Sequence, residues 1–162
     1  MSAYNELLKV PKTLKQVTLW VHPEGRVIGS LFLRQHSVNH AGSEQPLEAL
    51  NRAEHFIVVK PDVSDDLRFY NRKSIIRVEY DGKDKQIATT INPLPCRLHM
   101  MDGSLLSGSI QEPLHPNKAR LLDYLNKPDE NFIKMHADGI TLLINKSYII
   151  HAHIENLEDS DE

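Results

Sequence analysis

The feature that most constrains this chain is an internal repeat. Three blocks of matched residues occur twice in the same order, and their spacing drifts only from 79 (96 − 17) to 74 (145 − 71). The matched pairs are Val17 and Cys96, Leu19 and Leu98, Gly29 and Gly108, Ser30 and Ser109, Leu47 and Leu122, Leu50 and Leu125, Asn51 and Asn126, Phe56 and Phe132, Ile57 and Ile133, Asn71 and Asn145, Ile75 and Ile149, and Ile76 and Ile150. Such order and spacing are hard to obtain by chance, so we interpret the chain as a tandem duplication.

The repeat also gives the expected domain organisation. Residues 14–80 and 93–154 form the two β-rich copies, residues 1–13 an N-terminal extension and residues 81–92 a polar linker. The acidic tail at 155–162 is predicted to be disordered, since it lacks the apolar residues of a core. Because units of this size bury little surface alone, we expect the copies to share a core or to pair edge to edge about a pseudo-twofold axis.

Each copy has the pattern of a β-β-α-β-β-β unit. Val17, Leu19 and Val21 alternate with polar or outward residues, which is the period of a half-buried strand. Apolar residues at helical spacing follow Pro46 in the first copy and Pro116 in the second, which predicts one short helix in each. The predicted fold class is therefore mainly β (α+β), with small, bent, barrel-like antiparallel sheets, because curling removes exposed strand edges.

Charge and cysteine content exclude several classes of protein. The 19 Lys and Arg residues against 22 Asp and Glu give a net charge of −3, which does not favour the broad basic field of a nucleic-acid-binding protein. Cys96 is the only cysteine, so an internal disulfide or a Cys-rich zinc site is impossible. We find no signal peptide and no apolar run long enough to span a membrane, and we expect a cytoplasmic location with no membrane partner.

No candidate catalytic or metal-binding group stands out. His151 and His153 would share one face of a strand, as some metal sites require. Their counterparts in the first copy are Arg77 and Glu79, so we place the pair on a solvent-exposed face and predict no metal. Cys96 matches the inward Val17 and is interpreted as a buried structural thiol rather than a nucleophile. No enzyme activity and no cofactor are predicted.

Two functions of different classes remain open. The first is a non-enzymatic interaction or scaffold protein that offers a strand edge or an apolar patch to a protein partner or to a second copy of itself. Trp20 motivates it, because the single tryptophan falls on the outward face of an early strand beside His22, where it would be an interface anchor. The second is a ligand- or nucleic-acid-binding module that uses the local basic residues of the first copy, which are Arg68, Arg72, Lys73 and Arg77.

The repeated motifs also resemble known families. L-x-x-L-N followed by F-I, with N-[KR] before I-I and after a strand containing G-S-[LI], resembles a bacterial domain of unknown function over residues 17–79 and 96–154. The small bent sheet is similar in outline to Sm-like barrels, but Sm proteins place their helix before the first strand, so RNA binding does not transfer. Asp102 and Ser104 resemble the second signature of PilZ cyclic-dinucleotide receptors, although Gly108 comes one residue late and no R-x-x-x-R precedes it.

The copies share a scaffold and differ in their outward residues. Asn71 and Asn145, before each last strand, are interpreted as structural, because Asn bonds its own backbone in turns. The outward differences are Trp20 against His99, Arg77 against His151, and Glu79 against His153. We expect any functional surface where the copies differ, and the predicted interaction residues are Trp20, His22, Arg72, Arg77, His151 and His153.

Overall fold

The computed structural model of the protein describes residues 12–82, 93–111 and 118–155. The chain divides into two compact units, Met1–Tyr80 and Asp81–Glu162. Most of the predicted N-terminal extension, linker and acidic tail lies outside the described residues, and so does Pro116, which was expected to precede the second helix.

The first unit contains five antiparallel strands and one short helix. Its elements are β1 (Lys12–Val21), β2 (Gly25–Arg34), α1 (Pro46–Leu50), β3 (Phe56–Pro61), β4 (Arg68–Asn71), a 3-10 turn (Arg72–Ser74) and β5 (Ile75–Asp81). The strands lie in the order β5-β1-β2-β3-β4. β1 begins at Lys12, five residues before Val17, because it pairs with the full ten-residue length of β2.

The second unit has elements of the same types in the same sequence. They are β6 (Leu94–Met100), β7 (Leu105–Ile110), α2 (Lys118–Leu125), β8 (Phe132–Ala137), β9 (Ile140–Asn145), a 3-10 turn (Lys146–Tyr148) and β10 (Ile149–Ile154). The strands lie in the order β10-β6-β7-β8-β9, and every described pairing is antiparallel. The predicted mainly β class is confirmed. Neither β4 with β5 nor β9 with β10 forms a closing ladder among the described residues, so the barrel-like form stays a prediction.

Period-two burial explains why these segments are strands. In β6, Leu94, Cys96, Leu98 and Met100 are buried, while the residues between them are half-exposed. The largest buried side chains are Leu19, Leu50, Val59 and Ile75 in the first unit, and Leu98, Met100, Ile110, Phe132, Ile133, Met135, Leu143 and Ile144 in the second. Each such side chain removed from water contributes about 1.5–3 kcal/mol.

A glycine in the second strand of each unit allows a neighbouring strand to approach closely. A Cβ atom added to Gly29 would lie 2.7 Å from the carbonyl oxygen of Lys60, and one added to Gly108 would lie 2.6 Å from that of His136. Both distances are too short for a real Cβ atom, so any larger residue at either position would push the strands apart.

In each unit, the last strand follows a 3-10 turn whose N-cap residue is an asparagine. The sequence patterns did not predict this turn. The Asn71 side-chain oxygen accepts a hydrogen bond from the Lys73 backbone N–H at 3.0 Å, and Asn145 accepts one from Ser147 at 3.0 Å. The structural interpretation of these asparagines is confirmed, because both side chains bond the backbone of the turn that they begin.

Among the residues described, no helix is both long enough and apolar enough to cross a membrane.

Candidate functional site: the outer strand pairs of the two units

The outward residues that differ between the copies lie on equivalent pairs of strands. In the first unit, β1 pairs with β5 so that Trp20 lies opposite Arg77. In the second, β6 pairs with β10 so that His99 lies opposite His151. Both ladders shift register before this pair, at Ile76 in β5 and at Ile150 in β10. The register therefore assembles two three-residue surfaces, which we call the tryptophan face (Trp20, Arg77 and Glu79) and the histidine face (His99, His151 and His153).

In the tryptophan face, the side chain of Arg77 covers the ring of Trp20. Trp20 lies on the side of β1 opposite the buried Leu19, as predicted, but the Arg77 guanidinium carbon lies 3.9 Å above the centre of its ring. The Arg77 Nε lies 3.4 Å from a carboxylate oxygen of Glu79. Arg77 is only 9% exposed, which corrects the expectation that it lies on a solvent-exposed face. The contact between the Arg77 guanidinium and the indole of Trp20 is a cation–π interaction.

The other predicted residues of the first unit lie apart from this cluster. His22 is exposed just beyond β1, and its backbone N–H donates to the carbonyl oxygen of Ser74 at 2.8 Å. Arg72 is half-buried in the 3-10 turn, and its backbone N–H donates to His55 at 2.8 Å. With Arg77 committed to Trp20, the basic set proposed for nucleic acid loses one of its members.

The histidine face brings together three imidazole rings. The ring centres of His99 and His151 are 4.1 Å apart, with 28° between the ring planes. The centre of His153 lies 5.6 Å from that of His99 and 6.2 Å from that of His151. His151 and His153 are exposed, as predicted, whereas His99 is half-buried. Two of the three ring pairs are stacked and the third is tilted, and no set of three potential ligands within the described ranges is arranged to hold a metal ion.

Electrostatics at this face disfavours positive charge on its central histidine. The pKa of His99 is lowered, first by loss of hydration and then by the proximity of His151, His153 and Arg97. The Arg97 side chain forms an ion pair at 2.6 Å with Glu155, the residue that follows the last residue of β10. The environment of His99 therefore favours its neutral imidazole.

Strand β10 has a backbone edge that no described strand covers. Among the residues described, β10 pairs only with β6. The Glu155 backbone N–H donates to the Pro95 carbonyl at 3.0 Å, which makes positions 155 and 95 a hydrogen-bonded pair of this ladder. Hydrogen-bonded pairs alternate along an antiparallel strand. The N–H and C=O groups of Ala152 and Ile154 consequently point away from β6, and we call these groups the β10 edge.

Strand β10 also exposes apolar side chains whose counterparts in the first unit are buried. Ile150 is 61% exposed, whereas its counterpart Ile76 is 6% exposed. Five of the seven residues of β5 are buried, and no residue of β10 is. The sequence reading missed Ile150 and Ala152, because the match between Ile76 and Ile150 suggested the same burial for both.

The first unit also contains a shallow groove of about 200 Å³ between α1 and the start of β3. Phe56 and Arg52 line it, together with Lys12, whose pKa is lowered by burial and by the neighbouring Arg52 and Arg34. Arg52 is already paired with the buried carboxylate of Glu44. The groove thus has an apolar floor and a rim whose charges are largely used within the protein.

The carboxylate of Glu48 ties together the loop that precedes α1. Glu48 accepts hydrogen bonds from Ser37 at 2.5 Å and from Asn39 at 3.1 Å, and it contacts His40 at 2.5 Å. These bonds hold the pKa of Glu48 below its usual value despite partial burial. The loop is therefore built as a structural element rather than as an open binding site.

Cys96 is a structural residue, as predicted. Its side chain is fully buried and its sulfur lies 3.8 Å from that of Met135. Burial raises the pKa of the thiol to about 12, which removes the thiolate that a nucleophile requires.

We found no match to this chain among protein-family models, curated proteins or solved structures.

Proposed function

We propose that this protein is a non-enzymatic interaction protein whose second unit offers the β10 edge to a strand of a partner protein. The observation that carries the proposal is the exposed Ile150 beside outward backbone groups of Ala152 and Ile154. Edge strands with unpaired N–H and C=O groups are templates for a further strand, and such pairing is a common mode of protein recognition.

Comparison with β4, which ends the sheet order of the first unit, supports the choice of β10. β4 has only four residues and begins with the exposed Arg68. Short length and charge are the usual ways in which an edge strand is protected from pairing. β10 has six residues and contains no Lys, Arg or Pro. Of these two strands, β10 is the one without protection.

The non-enzymatic part of the proposal rests on what the polar groups do. Cys96 has its pKa raised to about 12, and Glu48 is committed to the loop before α1. Arg77 is stacked on Trp20, which also weighs against nucleic-acid binding through the basic set of the first unit. A cytoplasmic location remains part of the proposal.

We further propose that the two units arose by tandem duplication of a small, bent, barrel-like domain. The same strand order, the same register shift at Ile76 and Ile150, and the same asparagine-capped 3-10 turn support this. On this view the shared residues maintain the sheet, and the outward residues have diverged in function.

Site-specific photo-crosslinking in the native cells tests the interaction. A photo-crosslinking amino acid in place of Ile150 should give a discrete adduct, whereas the same probe in place of the 88%-exposed Val63 should not. Ala152→Pro removes one outward N–H without touching the ladder to β6, so it should abolish the adduct. Equal adducts at both positions, or an adduct that survives Ala152→Pro, would contradict the proposed edge.

A further inference from the structure

We propose that the strand received by β10 is β10 of a second copy of this chain, paired antiparallel about a twofold axis at Ala152. This inference rests on the proposed function, because it requires the β10 edge to be a site of strand pairing. It adds the identity of the partner and the register of the contact.

The sequence of β10 is self-complementary about its centre. Residues 150–154 read Ile-His-Ala-His-Ile in both directions. In an antiparallel pair centred on Ala152, Ile150 of each copy lies opposite Ile154 of the other, and His151 lies opposite His153. Every residue thus meets a residue of its own kind, and the strand contains no Lys, Arg, Asp or Glu that would lie opposite a like charge.

The backbone has the geometry that such a twofold pair needs. When identical residues on a twofold axis have their N–H and C=O groups directed at each other, each donates its N–H to the carbonyl of the other. The bond from Glu155 to Pro95 sets the alternation of the ladder, so the N–H and C=O of Ala152 both point outward. The pair at Ala152 would therefore be a hydrogen-bonded one, in which the two Ala152 residues exchange both N–H···O=C bonds.

The pairing also accounts for the exposure of β10. Ile150 is 61% exposed in one chain, and it would pack beside Ile154 of the second copy. The three imidazoles of the histidine face would continue into three more, with His151 facing His153 across the axis. A partner of another sequence would satisfy the backbone edge equally well, but only a second copy uses the palindrome.

Light scattering of the purified chain at neutral pH tests the inference. We expect the wild type to approach 37 kDa, twice the chain mass of 18.5 kDa, at high micromolar concentration and to return toward 18.5 kDa on dilution. Ala152→Pro should remain at the mass of one chain, and the matched Ala152→Ser, which retains the N–H, should still dimerise. A wild-type mass that stays at one chain, or a dimer unchanged by Ala152→Pro, would overturn the pairing.

A cysteine placed on the axis reports the register independently of proline. Cα atoms in a hydrogen-bonded antiparallel pair are about 5.5 Å apart, which a disulfide can span. Ala152→Cys should therefore form a disulfide-linked dimer on mild oxidation, and Val63→Cys should not, while the buried Cys96 stays reduced. Equal linkage at both positions, or none at Ala152→Cys, counts against the twofold register.

The two proposals fail in different ways. If the chain is monomeric but the photo-crosslinker at position 150 captures a different protein in an Ala152-dependent manner, self-pairing is wrong and the proposed edge function stands. If neither a dimer nor an Ala152-dependent adduct forms, both are wrong.

Discussion

The tryptophan face and the histidine face lie at equivalent places and use their side chains in opposite ways. In the first unit, Arg77 covers Trp20 at 3.9 Å and is almost fully buried. In the second, His151 and His153 are exposed beside His99, and the neighbouring Ile150 is exposed as well. The same backbone register thus supports a closed structural cluster in one unit and an open surface in the other. The two faces therefore differ in the exposure of their outward residues, although the strand pairs that carry them have equivalent registers.

The largest expected effect tests whether the scaffold is truly common to both units. Gly29→Ala and Gly108→Ala should each lower the free energy of unfolding by about 3 kcal/mol, because the added Cβ meets a strand carbonyl at 2.7 Å or 2.6 Å. Urea denaturation measures both variants. Gly42→Ala, in the loop before α1, is a suitable control. Full tolerance at one position and not at the other would break the equivalence of the two sheets.

The next effect separates the two faces. Arg77→Ala should destabilise the protein by about 2 kcal/mol, since it removes a desolvated cation–π contact. Its register counterpart His151→Ala is exposed and should change stability by less than about 0.5 kcal/mol. Denaturant midpoints give both values, and the fluorescence of Trp20, the only tryptophan, should shift to longer wavelength in Arg77→Ala alone. Similar losses of stability in the two variants would mean that the two faces contribute equally to the stability of the protein.

The parts of this picture that the sequence predicts are those that depend on local periodicity and on the repeat. Alternation around Leu19 and Leu98 locates the strands, and the inward position of Cys96 follows from its match to Val17. The cover over Trp20 was not predictable in this way, because it depends on which residue of β5 lies opposite. The register shift at Ile76 sets that pairing, and such a shift leaves no local signal in the sequence.

The same limit applies to the second unit. The match of His99 to Trp20 pointed to a difference between the faces, but stacking of three imidazoles required the register of β6 with β10. The outward direction of the Ala152 N–H is deduced from one backbone hydrogen bond, in which the Glu155 N–H donates to the Pro95 carbonyl. The palindrome around Ala152 is visible in the sequence and acquires meaning only once that direction is known.

The smallest expected effect is a pH dependence confined to the histidine face. His99 has its pKa lowered in the folded protein, so the folded state binds fewer protons than the unfolded state below about pH 6.5. Stability is therefore complete above this pH and is lost as the pH falls through the lowered pKa. The charged and titratable groups that act on His99 are His151 and His153 from β10 and Arg97 from its own strand. Arg97 is in turn paired with Glu155, and on the β7 side His99 lies opposite Leu105.

Urea midpoints at pH 7.5 and pH 5.5 measure this effect. We expect a lower midpoint at pH 5.5 in the wild type and a smaller difference in His99→Gln, because glutamine does not titrate. His55→Gln, which changes an exposed histidine of the first unit, should keep the wild-type difference. If His55→Gln flattened the dependence as much as His99→Gln, the response would belong to histidines in general. Protonation would then not distinguish the histidine face from the rest of the protein.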